Sequence, residues 1–262
     1  MVAVKSHVTI RFYGELNDFL DAEDRQCDID SYFYGIRSVK DLIESFSVPH
    51  VEVDLILVNG DSAGFERIVG DRDRVSVYPR FCNIEIDGIK KIHRSEQGGS
   101  RFVLDVHLGT LARYLRLLGF DADYDSLRDD PEIARIAHEE DRILLTRDRR
   151  LLMRNSVERG RIIRNKYPLL QVAEVLEHFG LCSDIKPFTR CIQCNGIIEP
   201  ITLDSQEYKD IEGQIPPGVK SWCKEYQRCR GCGKIYWRGS HYDNMARLVD
   251  IIIERCSKSR GI

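Results

Sequence analysis

Val8, Ile10 and Phe12 fall at alternate positions of HVTIRF, with polar side chains between them. A period of two marks a strand with one buried face. A polar bend leads to a second extended stretch, CDIDSYF, over residues 27–33. The period then lengthens. In SVKDLIESF, Val39, Leu42, Ile43 and Phe46 make the apolar stripe of a helix, and Ser38 with Asp41 has the form of a capping box. Pro49 stops this helix. VEVDLILVNG predicts another strand, closed by the turn pair Asn59-Gly60, and DRVSVYPRF a last one.

This ββαββ order over residues 1–90 resembles the β-grasp fold, in particular its ubiquitin-like sulfur-carrier branch. KKIHRSEQGGS then reads as a polar connector. Sulfur carriers and ubiquitins end in a diglycine whose carboxylate is activated. Here Gly98-Gly99 is internal, so that use requires cleavage after Gly99.

From Arg101 short apolar runs alternate with amphipathic ones. RFVLD predicts a buried strand, and HLGTLARYLRLLGF a helix with Leu108, Leu111, Ala112, Leu115 and Leu118 on one face, ended by Gly119. DPEIARIAHEEDR begins a second helix, with Asp130 as N-cap and Pro131 at the first helical position. RILLTRD is a second short buried strand and PLLQVAEVLEHFGL a further helix. Such alternation predicts an α/β domain with a parallel sheet covered on both faces. There is no internal repeat.

Composition adds constraints. At 42% hydrophobic and 31% charged residues, the chain is an ordinary globular one. No run of about 18 apolar residues predicts a membrane span. The first residues, MVAVKSHVTIRFYGEL, lack the apolar core of a signal peptide, which gives the expectation of a cytoplasmic protein. The net charge of −3 divides into −6 over residues 1–100, +1 over 101–190 and +2 over 191–262. That balance does not announce nucleic-acid binding, and local clusters matter more than the sum.

Asp105 and Asp148 each end an apolar strand. Ligands of open parallel sheets gather beyond the carboxyl ends of the strands. Carboxylates brought together there repel unless a cation neutralises them, and a hard divalent ion suits phosphodiester hydrolysis. The plainer reading is that each aspartate caps the helix that follows. Asp130, Asp129, Asp125 and Asp123 are all candidates for a third acidic ligand.

The nine cysteines include two C-x-x-C pairs, CIQC (Cys191, Cys194) and CRGC (Cys229, Cys232). Two such turns facing each other give a closed tetrahedral thiolate site, which predicts one structural zinc. The 34 residues between Cys194 and Cys229 imply an inserted loop. Cys223 is a spare ligand candidate, whereas Cys27, Cys82, Cys182 and Cys256 read as ordinary buried or half-buried residues. Arg147, Arg149, Arg150, Arg154, Arg159, Arg161 and Arg164 cluster within one stretch; they either hold phosphates or make a solvated face. Tyr236, Trp237 and Arg238 beside the last knuckle are placed to stack on an unpaired base or to pack in the ribbon. His107, His138 and His241 lack ligand partners at a metal-binding spacing.

LDVHLGTLARYLRLLGFDADY, DDPEIARIA and RILLTRDRRLL together resemble the PIN-like ribonuclease family known from the C-terminal domain of the Mut-seven exonuclease. PFTRCIQCNG and GCGKIYWRGSHYDNM resemble the zinc ribbon that accompanies it, and an N-terminal ubiquitin-like domain is a known fusion partner. The resemblance implies metal-dependent RNA cleavage, with Asp105 at the first acidic position, Asp130 or Asp129 at the middle one and Asp148 at the one in TRD. The expected organisation is a β-grasp domain (1–90), a linker (91–100), a PIN-like domain (101–188) and a zinc ribbon with a C-terminal helix (189–262). The expected site comprises Asp105, Asp130 and Asp148 for catalysis with magnesium or manganese; Arg147, Arg149, Arg150, Trp237 and Arg238 for RNA; and the four paired cysteines for zinc. The rival expectation is a non-catalytic RNA-binding or adaptor protein whose β-grasp domain recruits a partner.

Overall fold

The alternation of Val8, Ile10 and Phe12 does form a strand with its apolar face sealed, and all three side chains are buried. The structure, a computed structural model, describes residues 5–80 and 100–259. Gly98-Gly99 and Cys82 lie outside the described residues. In chain order the first elements are β1 (Lys5–Phe12), β2 (Ile29–Tyr34), α1 (Val39–Glu44), β3 (Val53–Val58), β4 (Asp61–Ser62) and β5 (Arg74–Pro79). Next come β6 (Arg101–Leu104), α2 (Gly109–Leu117), β7 (Asp121–Asp123), α3 (Asp130–Glu139), β8 (Ile143–Thr146), α4 (Arg149–Leu152), β9 (Gly160–Ile162) and α5 (Pro168–Phe179). Last are β10 (Ile198–Ile201), α6 (Gln206–Ile211), α7 (Pro217–Lys220), β11 (Tyr226–Cys229), β12 (Ile235–Trp237) and α8 (Ser240–Ser259). They belong to two units: Met1–Gly98 with Asp129–Ile163, and Gly99–Arg128 with Arg164–Ile262.

In the first unit the five strands of the N-terminal segment lie in the order β2-β1-β5-β3-β4. β1 is antiparallel to β2 and parallel to β5, while β3 is antiparallel to both β5 and β4. α1 buries Val39, Leu42 and Ile43. Its capping box is present: Ser38 Oγ accepts from the Asp41 N–H, and the Asp41 carboxylate accepts from Ser38. Asn59 and Gly60 both adopt positive φ, 54° and 95°, the conformation of a tight hairpin turn. This is the β-grasp arrangement. The same unit contains the parallel pair β8–β9 with α3 and α4.

A buried polar network ties β9 to the β-grasp segment. The Arg161 guanidinium donates to Glu15 at 2.5 and 2.7 Å and to Glu52 at 2.7 Å, and Glu52 also accepts the Ile162 N–H at 2.6 Å. The side chains of Arg161 and Glu52 are 5% and 0% exposed. Removing one partner from a buried ion pair leaves the other charge uncompensated, at about 3–5 kcal/mol. Arg161→Met, which keeps an apolar stem of similar length, is therefore expected to lower stability by about 3 kcal/mol or more in urea unfolding. A loss below about 1 kcal/mol would mean that the pair contributes little.

In the second unit β6 runs parallel to β7. α2 buries Leu111, Ala112 and Leu115 as its spacing requires, and also Arg116. Gly119 follows with φ +93°, and a Cβ there would lie 2.2 Å from the Lys186 carbonyl oxygen, so only glycine fits. β10, β11 and β12 form an antiparallel sheet. The 34-residue insertion is not a bare loop. Its α6 and α7 region packs Ile211, Ile215 and Cys223 against Ile201 and Tyr226 of the sheet.

Several details depart from the sequence reading, among them Cys27, which is exposed where a buried or half-buried residue was expected. Asp129, not Asp130, caps α3: its carboxylate accepts the Glu132 N–H at 3.0 Å, and Pro131 stands second in the helix. The helix starts one residue early because either aspartate can cap and the earlier one has the extended backbone a cap needs. Cys182 and Cys256 are joined in a disulfide across 74 residues, where ordinary thiols were expected. Packing of α5 on α8 brings them together, which spacing alone does not reveal. Cys223 lies in the insertion core, donates to the Glu225 carbonyl and stands outside the group of four clustered cysteines. Among the described residues no helix is long and apolar enough to cross a membrane.

Candidate functional site

Each C-x-x-C pair closes the same backbone turn. The Cys191 N–H donates to Gly196 O (2.8 Å) and the Asn195 N–H to Cys191 O (2.9 Å). In the second turn the Cys229 N–H donates to Lys234 O (2.9 Å) and the Gly233 N–H to Cys229 O (3.0 Å). The residue after each pair sits at positive φ, Asn195 at 68° and Gly233 at 74°. The turns approach so closely that a Cβ on Gly196 would lie 2.9 Å from Cys229 Sγ.

The four Sγ atoms lie within 4.8 Å of one another. Cys191 and Cys232 are 3.7 Å apart, and Cys194 and Cys229 3.3 Å apart. With Zn–S near 2.3 Å, the edge of a tetrahedron of thiolates is about 3.8 Å, so the donor set fits zinc. Burial opposes ionisation of Cys191, but hydrogen bonds from the Tyr236 hydroxyl and the backbone outweigh it and bring the thiol down to about 7. Burial pushes Cys194 up to about 12. Four protein ligands leave no open position, so such a centre holds structure and does not catalyse.

Two residues that sequence reasoning missed fix the first turn in place. Arg116, on α2, donates to the carbonyls of Ala122 (2.8 Å), Ile192 (3.3 Å) and Gln193 (2.9 Å). Burial pulls its pKa down, against the nearby Asp123. The Asn195 carboxamide accepts the Ala122 N–H at 3.1 Å and donates to Asp121 at 2.7 Å. An arginine on the apolar side of a predicted helix was the available signal for the first. Nothing local marked the second.

The aspartates stand at strand ends as read. Asp105 follows β6, is buried, and its carboxylate accepts the His107 N–H at 3.5 Å. Asp148 follows β8 by two residues and is exposed. Its N–H donates to Thr146 Oγ1 (2.9 Å) and its carboxylate accepts the Arg150 N–H (2.8 Å). Both therefore cap. Of the middle candidates, Asp129 caps α3, Asp125 accepts the Leu127 N–H, and Asp123 pairs with Arg128 at 2.5 Å. Asp130 is the first residue of α3.

The arginine cluster divides. Arg149 donates to the carbonyls of Phe19 and Asp18 and lies over the Phe19 ring, Arg161 is in the buried network, and Arg159 pairs with Asp141. Arg147, Arg150 and Arg154 are exposed. Trp237 packs against the insertion core, and exposed Arg238 pairs with Glu225 while lying over the Tyr242 ring.

A β-grasp sheet, parallel strand pairs with aspartates after them, and a four-cysteine ribbon define a modular α/β protein. Residues 100–249 match the family model of the Mut7-C RNAse domain, and residues 5–85 match that of Mut7-C ubiquitin. The first match covers more than half of the chain, and the chain belongs to the Mut7-C RNAse domain family. No curated protein and no solved structure matches it.

Proposed function

We propose that this protein is a cytoplasmic, metal-dependent ribonuclease whose zinc ribbon helps to grip RNA. The match of residues 100–249 to an RNAse domain carries this reading. Asp105 and Asp148 after parallel strands supply acidic groups where such sheets bind ligands. Asp130 is taken as the third from its match to the middle acidic position in RDDPE, a position that its neighbour Asp129 matches equally. Hard carboxylate oxygens suit magnesium or manganese. A carboxylate offers about four acceptor positions, so capping and metal ligation are compatible. When bound, such an ion lowers the pKa of a water and offsets charge on the phosphate.

The chain's own residues do the positioning. The His107 N–H orients Asp105, and the Arg150 N–H with the Thr146 hydroxyl orients Asp148. Exposed Arg147 and Arg150 hold phosphates, and Arg238 and Trp237 meet RNA from the ribbon. The β-grasp domain recruits a protein partner. Arg147→Ala and Arg150→Ala should weaken binding alike for all RNA sequences and flatten its salt dependence, each by about one phosphate contact. An unchanged salt slope would leave them as a solvated face.

The capping roles of both aspartates favour a second reading, a non-catalytic RNA-binding adaptor. Incubating a mixed RNA pool with magnesium or manganese separates the two. Cleavage that needs the ion and is lost in Asp105→Asn supports the enzyme; RNA retention without cleavage supports the adaptor.

A further inference from the structure

The ribbon sheet has two dissimilar faces. Ile201, Tyr226 and Trp237 pair across the strands, and they pack with the insertion core. Pro200, Gln227 and Tyr236 pair one residue out of step with them, so they stand on the opposite face. Pro200, Gln227 and Tyr236, with Ile201, Tyr226 and Trp237 also contributing to the lining, wall a cavity of about 480 Å³, a volume in the range of small-ligand pockets. Phe188 and Tyr242, stacked with ring centroids 4.5 Å apart at 29°, also line it.

Phe188 is held in an unusual conformation. Its φ is +61°, a region that bulky side chains rarely adopt, and such strain gathers at ligand sites. Its N–H donates to the Leu117 carbonyl at 3.0 Å, which fixes the backbone there. Three cations, Arg190, Lys224 and Arg238, line the cavity, the last paired with Glu225. Lys224 and Arg238 are exposed, and Arg190 is oriented by Asp121 and the Asn195 carbonyl. Glu225 is the one acidic residue that lines it. Aromatic faces together with positive charge in the lining match a flat base joined to phosphates.

We infer that this cavity seats one unpaired nucleotide of single-stranded RNA, its base against Phe188, Tyr242 and Tyr236 and its phosphates beside Lys224 and Arg238. The inference rests on RNA being the substrate class, but it does not need cleavage. A paired base cannot enter, because its faces are already stacked and its edge is occupied. The ribbon would thereby select for strand ends, bulges and loops.

The test uses the full chain with zinc bound, in buffer free of magnesium and manganese. Short single-stranded oligoribonucleotides carry 2-aminopurine, or an abasic gap, at successive positions. One position should show quenched 2-aminopurine fluorescence, and an abasic gap there should weaken binding about tenfold, the usual worth of a stacked base. Tyr242→Leu should abolish the quenching and make intact and gapped strands bind alike. Met245→Trp, which fills the cavity from α8, should do the same and decides the matter if Tyr242→Leu loses its zinc. Quenching without any cleavage in the magnesium assay would sink the ribonuclease reading and keep the pocket. Cleavage with no quenched position, or quenching that survives both cavity variants, overturns the pocket, as would equal competition by duplex RNA or by an aromatic peptide.

Discussion

Replacing Cys191 or Cys232 by serine should release the metal and unfold the ribbon. The strands β10, β11 and β12 have four, four and three residues, and the insertion core has five buried members. So small a core cannot offset the chain entropy of the segment without a staple. A thiolate-bound zinc contributes about 10–16 kcal/mol of apparent binding energy, and in such a module that energy is folding energy. Purified protein should hold about one zinc per chain, as a closed four-thiolate site does. Chelation should expose the backbone amides of Cys191, Cys229 and Gly233 to hydrogen exchange, since their partners lie within the two turns. Protons compete with the metal for the thiols. Cys194, held up at about 12 by burial, gives up a proton on binding at neutral pH, so zinc should be retained less well as pH falls. Full exchange protection of β10, β11 and β12 in a metal-stripped sample would contradict this account.

The second large effect is expected at the strand ends. Asp105→Asn and Asp148→Asn should each lower cleavage about a thousandfold, the ~4 kcal/mol expected of a lost metal ligand at 1.36 kcal/mol per decade. RNA affinity should hold or rise, because each change removes negative charge near phosphate. Stability decides whether a structural effect is confused with a chemical one. Asn caps about as well as Asp, so the His107 and Arg150 N–H groups keep their acceptors and the melting temperature should scarcely move. Normal melting with lost cleavage fits metal ligation. Normal melting with unchanged cleavage leaves both as helix caps and removes the acidic centre.

Elements with a strong local signature were legible. The period-two strands, the Ser38–Asp41 box, the Asn59-Gly60 turn and the two cysteine turns all depend on neighbours within a few residues. What escaped was set by distant neighbours. β7 and β9, at three residues each, carry no periodicity and exist because adjacent strands pair with them. The Cys182–Cys256 link depends on α5 meeting α8. The arginines from 147 to 164 look alike in sequence, yet Arg161 and Arg149 are bound to the β-grasp segment while Arg147 and Arg150 face solvent, a division that only tertiary contacts make. Asp130 and Asp129 are adjacent, and one residue of offset in the start of a helix decides which one caps.

The clamp made by Arg116 and Asn195 bears on how far the ribbon can be regarded as an appendage. Ala122 sits in β7, and on the side away from β6 its N–H is taken by Asn195 and its carbonyl by Arg116. Such bare main-chain groups at a strand margin invite another chain to add itself. Here two side chains occupy them, one from the zinc turn and one that needs that turn to satisfy its buried guanidinium. A fragment cut between residues 188 and 189 would lose Asn195 and strand the Arg116 charge together. The zinc turn thus covers an open strand margin, and its removal is expected to make the remainder of the fold prone to self-association, measurable as a concentration-dependent increase in size.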